Sequence, residues 1–249
     1  MARQARQLSS TGVYHIMLRG INQQSILEEE KDNIKFIEIL KDCMIISGYK
    51  LYAYCLMGNH VHLLMKVEEE PLAQIFKRIC GRYVYWYNAK YQRVGHLLQG
   101  RFKSEPVEDE GSLLRVLRYI HQNPVKAGLV KNAKDYPFSS YHCYMKPRDN
   151  QLVDTDFVLN MMNSKHFEEY HNEYTEDNLL HTIERRFTLT DEQAKGIIRI
   201  VSKCSTAPEF QQLEAKVRNS YIRRFRQEGL SIRQINRLTG VSKGIIERC

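Results

Sequence analysis

Long apolar runs are absent from this 249-residue sequence. No stretch reaches the roughly 18 residues that a helix needs to span a bilayer. A secretory signal is lacking as well, because no apolar segment follows the basic start MARQARQ. We therefore expect a cytoplasmic protein that has no membrane partner.

Cysteine pairs with metal-binding or redox spacing are also lacking. The six cysteines are scattered along the chain, and no two of them form a C-x-x-C pair. This pattern argues against a disulfide framework and against a thiolate zinc site. We expect reduced cysteines, most of them in apolar surroundings.

Acidic residues are too few to balance the basic ones. The chain has 29 Asp and Glu against 37 Lys and Arg, which gives a net charge of +8. This excess favours a polyanionic partner, because Lys and Arg displace condensed counterions from a phosphate backbone. Charge alone does not distinguish DNA, RNA and an anionic membrane surface.

Two histidines separated by a single valine lie in the stretch YCLMGNHVHLLMKV, residues 54–67. In a β-strand, His60 and His62 project to the same face, about 7 Å apart by the usual rise per residue. That spacing suits two imidazoles that bind one ion. The alternative interpretation is a pair of surface histidines on an edge strand. We predict one long strand over residues 49–67.

Strand-like and helix-like patterns alternate through the first half of the chain. Strands are predicted over residues 12–19 and 101–105, in addition to the long one. Helices are predicted over residues 29–47, from 71 to about 91, and over 109–123, where the helix stops before Pro124. We therefore predict an α+β fold, with a ferredoxin-like antiparallel sheet, helices packed on it and an all-α C-terminal part.

Two further groups of residues allow more than one interpretation. His15 and Arg19 share one face of the first strand, where either can face a ligand or serve the packing alone. Tyr83, Trp86 and Tyr87 repeat at helical spacing on the second helix. They form either a stacking platform for nucleic-acid bases or part of the core.

The third predicted helix carries a polar row beside its apolar face. Arg115, Tyr119 and Asn123 are spaced four residues apart and stack along one side of the helix. The simplest interpretation is a boundary tyrosine whose hydroxyl reaches solvent. An amide one turn after it and an arginine one turn before it also suit a reactive site.

Four separated segments carry a family resemblance when they are taken together: YCLMGNHVHLLM, LLQGRFKSEPV, LRYIHQNPVKAGLV and YPFSSY. In this order, over residues 8–145, they resemble the single-tyrosine His-hydrophobic-His (HUH) transposases of insertion sequences, in particular the REP-associated tyrosine transposases. The resemblance implies that His60 and His62 bind a divalent metal and that Tyr119 is the nucleophile. Asn123 is the implied third ligand, and Gln122, about 60° further round the helix from Tyr119, is its rival.

The implied activity is the cleavage and rejoining of single-stranded, hairpin-flanked DNA through a 5′-phosphotyrosine link. A phenol with a pKa near 10 is a poor nucleophile at pH 7. A Mg²⁺ or Mn²⁺ ion would polarise the scissile phosphate and stabilise the charge that develops on it. By charge and position, the expected phosphate contacts are Arg19, Arg101, Lys103, Arg115 and Arg118.

The end of the chain is strongly basic, with nine Lys and Arg against three Glu in residues 213–249. Within it, LSIRQINRLTGVSKGIIERC resembles a helix-turn-helix, in which Lys243 and Arg248 would face a major groove of duplex DNA. The alternative is a basic helical hairpin. Residues 146–150 read as a linker. We predict a catalytic domain over residues 1–147, a helical connecting region over 148–205 and a DNA-binding tail over 206–249.

A second hypothesis is a non-catalytic DNA-binding regulator derived from a transposase. The joint presence of His60, His62, Tyr119 and Asn123 favours the enzyme over the regulator. A metal-dependent RNA-binding protein or nuclease would share the basic surface but gives no role to Tyr119. The resembling family includes monomers and dimers, so a homodimer stays an open expectation. DNA binding implies association with the nucleoid.

Overall fold

The computed structural model describes residues 6–147, 152–173, 191–204 and 206–249. The chain divides into two compact units, Met1–Leu180 and His181–Cys249. Part of the predicted linker, residues 148–150, lies outside the described residues, and the three-part functional division stays a prediction. Within the described ranges, every helix is too short or too polar to cross a membrane.

A four-stranded antiparallel sheet forms the centre of the first unit. Its strands are β1 (Val13–Arg19), β2 (Lys50–Met57), β3 (His60–Lys66) and β4 (Lys103–Pro106). Its helices are α1 (Glu30–Ser47), α2 (Leu72–Lys90), α3 (Glu110–Lys126), α4 (Tyr141–Met145), α5 (Asp156–Leu159) and α6 (Ser164–Asn172). The β-α-β-β-α-β order and the sheet order β2-β3-β1-β4 are those of a ferredoxin-like fold. The predicted fold class is confirmed.

The prediction of one long strand over residues 49–67 is wrong. β2 and β3 form a hairpin, and Gly58 and Asn59 make the turn between them. The Gly58 carbonyl accepts the backbone N–H groups of Ile26, at 2.7 Å, and Leu27, at 3.0 Å. Glycine and asparagine are common turn residues, but here the apolar alternation runs on both sides of them and conceals the turn.

Helices cover both faces of the sheet. α1 and α2 pack against each other, with the rings of Phe36 and Tyr83 4.9 Å apart, whereas α3 packs on β2 and β3. Tyr83 and Tyr87 are buried and Trp86 is partly buried against the core, so the core interpretation of this aromatic group is correct.

The third helix continues through Pro124 to Lys126, so its predicted end before the proline is wrong. A proline in the last turn removes one backbone hydrogen bond but leaves the others intact. The Ala127 N–H still bonds to the Asn123 carbonyl, and the Leu129 N–H bonds to the Pro124 carbonyl, both at 2.9 Å. Asn123 is therefore held inside a regular helix instead of at a frayed end.

A buried chain of hydrogen bonds fixes α3 to α6 and β2. His171 donates from Nδ1 to the Phe167 carbonyl at 2.8 Å, so its Nε2 accepts from His121 Nδ1 at 2.9 Å. His121 Nε2 then accepts from the Ser140 hydroxyl at 2.7 Å, and Ser140 Oγ accepts the Tyr54 N–H at 2.9 Å. Burial, followed by the charge of His171, lowers the pKa of His121 well below its usual value, which agrees with a neutral ring. α3 is thus held from both sides.

The second unit is helical in its described residues: α7 (Asp191–Ser202), α8 (Ala207–Gln211), α9 (Ala215–Gln227), α10 (Ile232–Thr239) and α11 (Lys243–Arg248). Gly240, at φ 71°, ends α10 in the left-handed conformation that glycine adopts without strain. Ser231 forms a capping box with Gln234 at the start of α10, whereas Ser242 precedes α11 without a side-chain cap. Ile235 and Ile246 are fully buried between the helices of this unit.

Candidate active site

Three separate pieces of chain, β1, β3 and α3, bring four ring side chains together. The rings of His60 and His62 are perpendicular, with centroids 5.0 Å apart. The Tyr119 ring packs edge-on against His62 and His15, with both centroid distances 5.6 Å. His15 is also stacked on His62 at 5.3 Å. His60 and His62 of β3 and Tyr119 of α3 therefore meet at one place.

Asn123 lies one helical turn after Tyr119 and is almost fully buried. Its Nδ2 donates to the Tyr119 carbonyl at 2.9 Å, which fixes the orientation of the amide. Among the described residues, its buried Oδ1 has no hydrogen-bond partner. An orphaned buried carbonyl oxygen is costly, and a metal ion that it can bind removes the cost.

His60 and His62 each have their Nδ1 atom engaged by a neighbouring side chain. His60 Nδ1 lies 2.7 Å from Asn59 Oδ1, and His62 Nδ1 lies 3.1 Å from His15 Nε2. If Nδ1 is the donor in each pair, both rings keep a lone pair on Nε2. This is the arrangement that orients metal-binding histidines in proteins.

Burial favours the neutral form of His15, His60 and His62. Burial, followed by the charge of Arg19, lowers the pKa of His60 to about 4, and burial lowers that of His15 to about 3. Burial and then the two neighbouring imidazoles lower the pKa of His62 well below its usual value. A neutral imidazole is the form that binds a metal, so the two strand histidines need not lose a proton first.

The donor set fits a divalent cation with two nitrogens and one amide oxygen. The described part of the chain holds no group of three or more His, Cys, Asp or Glu side chains placed to bind a metal. The set of His60, His62 and Asn123 is of another kind, because its third member is an amide. Gln122, the rival ligand, instead donates from Nε2 to the His171 carbonyl at 2.8 Å and so faces α6.

A cation lies beside the candidate nucleophile. Lys126 Nζ is 5.1 Å from the centroid of the Tyr119 ring, two turns further along α3. This is a cation–π contact, which helps to hold the ring in place.

The residues expected to contact phosphate are not equivalent in the structure. Arg101, Lys103 and Arg115 are exposed, and Arg19 is partly exposed. Arg118 instead is buried, with its guanidinium 4.0 Å from the centroid of the Tyr170 ring and 3.3 Å from a Glu173 carboxylate oxygen. A buried guanidinium on a carboxylate has little surface left for a phosphate, so Arg118 is a poor phosphate contact.

In the second unit, α11 exposes the face expected to read duplex DNA. Lys243, Gly244, Glu247 and Arg248 are all exposed, whereas Ile246 is buried. Arg248 donates from Nε to the Gly244 carbonyl at 2.8 Å.

Two residues of the site were not identified as such from the sequence. Asn59 orients His60, and its position just before the histidine in a turn was the only available signal. His15 was considered as a ligand-facing or a structural residue, and the structure places it against His62, 47 residues away. No local pattern indicates that pairing, because it depends on the register between β1 and β3.

Comparisons with known proteins show which proteins the chain is similar to. The family described as IS200-like transposases matches residues 9–123, a range that includes His60, His62, Tyr119 and Asn123. A Haemophilus influenzae protein provisionally named REP-associated tyrosine transposase is 33% identical over 106 residues, which are 38% of this chain and 60% of that protein. The chain therefore spans less than two thirds of that relative. The resemblance inferred from the four sequence motifs is confirmed.

One solved structure shares the fold, and a second was found as a weaker match. A structure described as a REP-associated tyrosine transposase bound to a REP hairpin is 17% identical, with a TM-score of 0.51 over 58% of this chain and 86% of that one. A structure of a provisionally assigned transposase from Deinococcus radiodurans R1 is 19% identical, with a TM-score of 0.35 over 49% of this chain and 97% of that one.

Proposed function

We propose that the protein cleaves and rejoins single-stranded DNA through a covalent link to Tyr119, since residues 9–123 match the family described as IS200-like transposases. The contact between the Tyr119 ring and His62, at 5.6 Å between centroids, carries the proposal. It brings the proposed nucleophile next to the two imidazoles of β3, which lie more than 50 residues away in the sequence. Covalent capture of labelled single-stranded DNA, described in the Discussion, tests it.

We propose that His60 and His62, through Nε2, and Asn123, through Oδ1, hold a Mg²⁺ or Mn²⁺ ion. The engaged Nδ1 atoms and the orphaned Oδ1 support these assignments. When bound, the ion would polarise the scissile phosphate and stabilise the negative charge that develops on it.

The residues of the chain itself supply the nucleophile and its position. The Tyr119 oxygen attacks the phosphorus, a bond to the tyrosine forms, and the bond to the 3′ oxygen breaks. This oxygen takes up a proton and leaves as a free hydroxyl. The phosphotyrosine link keeps the energy of the broken bond, so the reverse attack by a 3′-hydroxyl rejoins the strand without ATP. The cation–π contact of Lys126 and the packing on His15 and His62 keep the Tyr119 ring in place.

The target is proposed to be single-stranded or hairpin DNA, with Arg19, Arg101, Lys103 and Arg115 as phosphate contacts. These side chains are partly or fully exposed in the same unit as the site. A protein acting on such DNA would work in the cytoplasm at the nucleoid, as a monomer or a homodimer.

His15 is proposed to be a positioning residue that accepts a hydrogen bond from His62 Nδ1. We expect His15→Leu to weaken Mn²⁺ binding about 10- to 100-fold, as the loss of an outer partner of a metal ligand usually does. His15→Gln should lose less Mn²⁺ affinity, since the glutamine amide oxygen can still accept the hydrogen bond from His62. Titration with Mn²⁺, followed by electron paramagnetic resonance of the free ion, measures the affinities.

Thermal melting of both His15 variants is the control, because His15 is fully buried and either change can affect folding. If the leucine variant melts like the glutamine variant and binds Mn²⁺ as tightly as the unmodified protein, His15 has no positioning role.

We further propose that α11 binds duplex DNA. The double variant Lys243→Ala, Arg248→Ala should reduce the slope of log affinity against log salt by about 2, since each lost phosphate contact contributes about 0.9. Fluorescence anisotropy with a labelled duplex measures this slope. The matched control is Lys195→Ala, Lys216→Ala, which removes two exposed charges elsewhere in the same unit. Equal losses in both variants would mean that the unit binds by net charge alone.

The non-catalytic regulator remains the second candidate, and the basic, separately packed second unit favours it. Duplex binding together with a failure to form any covalent adduct would support it over the enzyme.

A further inference from the structure

A pocket of about 250 Å³ lies beside the candidate active site, between the end of β1, the first half of α2 and residues 98–102. Four of its lining residues are basic, and no acidic side chain is among those that line it in the described structure. The basic residues are Arg6, Arg19, Lys77 and Arg101. Such a pocket attracts an anion, because the charged side chains that line it are positive.

Two of the basic residues that line the pocket, Arg6 and Arg101, act on each other through their charges. Burial and then the charge of Arg101 lower the pKa of Arg6, so the two arginines repel each other within the wall. An anion placed between them relieves this repulsion, as a phosphate does when arginines surround it.

Most of the other side chains that line the pocket are apolar, and two of them are aromatic rings. The rings of Phe76 and Phe102 pack with centroids 4.3 Å apart, and Arg6 Cζ lies 3.7 Å from the centroid of the Phe102 ring. Guanidinium planes and aromatic rings are the surfaces on which unpaired bases stack. The volume is below the roughly 300–1,000 Å³ of pockets for drug-sized ligands, so the pocket has room for one base and not for several.

The pocket shares a residue with the surroundings of the site. Arg19 lines it and is the cross-strand partner of His60, and its charge contributes to the lowered pKa of that histidine. A strand that has a phosphate at His60 therefore passes the mouth of the pocket with an adjoining nucleotide.

We propose that this pocket binds one unpaired nucleotide of the DNA strand, next to the phosphate that is held at the active site. The base lies on the stack of Arg6 and Phe102, and the phosphate of the nucleotide contacts Lys77 and Arg101. The inference rests on the proposed function in that its ligand is single-stranded DNA.

The test measures binding without cleavage, so it is independent of whether an adduct forms. Full-length protein carrying Tyr119→Phe is titrated, in EDTA, into a fluorescein-labelled 12-nucleotide DNA of mixed sequence and into a 12-residue abasic strand with the same phosphates. We expect the mixed-sequence strand to bind more tightly than the abasic strand, with a ratio of affinities of at least about five. This is the lower end of what stacking one base contributes. Adding Ala73→Trp, which fills the pocket from an exposed position of α2, should reduce this ratio at least about threefold.

The matched control is Gln74→Trp, at the next exposed position of the same helix but outside the pocket lining, which should leave the ratio unchanged. A second variant, Arg101→Gln, should weaken both strands alike, because both carry the phosphate. The pocket proposal is overturned if Ala73→Trp and Gln74→Trp give the same ratio, or if Arg101→Gln changes neither affinity. These results leave the covalent chemistry untouched, whereas a missing adduct with an intact ratio would overturn the proposed function and retain the pocket.

Discussion

Replacing Tyr119 with phenylalanine should abolish covalent attachment to single-stranded DNA. The variant keeps the ring that packs on His15 and His62 but lacks the oxygen that attacks the phosphorus. Loss of a nucleophile usually costs far more than about 1,000-fold, so we expect an adduct below detection. Incubation of labelled single-stranded oligonucleotides with Mn²⁺, followed by denaturing electrophoresis, measures the adduct.

Tyr85→Phe is the matched control, because Tyr85 is 80% exposed on α2 and is not one of the candidate site residues. This variant should form as much adduct as the unmodified protein. An adduct that survives in Tyr119→Phe at the unmodified level would show that another residue is the nucleophile, and the enzymatic proposal for Tyr119 would be wrong.

Replacing His60 with alanine should remove the metal dependence together with the adduct. His60 is half-buried and is held through Nδ1 by Asn59, so its loss deletes one proposed ligand and opens no deep cavity. We expect Mn²⁺ affinity to fall by more than about 100-fold, since loss of even an outer partner of a ligand costs about 10- to 100-fold. The adduct assay over a range of Mn²⁺ concentrations measures the effect.

His96→Ala provides the comparison, because His96 is exposed and lies outside the candidate site. Its adduct should show the same Mn²⁺ dependence as that of the unmodified protein. If His60→Ala instead forms adduct in EDTA as well as the unmodified protein does in Mn²⁺, the chemistry needs no metal at this position.

The residue pattern predicted extended chain around His60 and His62 but missed the turn that divides residues 49–67 into two strands. Apolar alternation runs through residues 49–57 and again through 60–67, so a period of two residues cannot locate the turn. The turn is stabilised by backbone bonds from Ile26 and Leu27, which lie far away in sequence.

The third helix shows the same limit. Its apolar periodicity identified the buried face and placed Tyr119 beside it. Arg118, the next residue along the helix, was expected to meet phosphate but is buried, because α6 brings Tyr170 and Glu173 over it. A helical projection describes one helix only and does not show which neighbour covers a polar side chain.

Local pattern was enough to single out the candidate residues on the strand and the helix, because spacing along an element decides which residues share a face. Only long-range contacts show that these faces meet and which partner engages one ring nitrogen of each histidine. His62 is oriented by His15, and α3 is held by His121 between α6 and β2. The physical reason is that the state of an imidazole depends on the partner of its other nitrogen, and here strand register and helix packing supply that partner from distant parts of the chain.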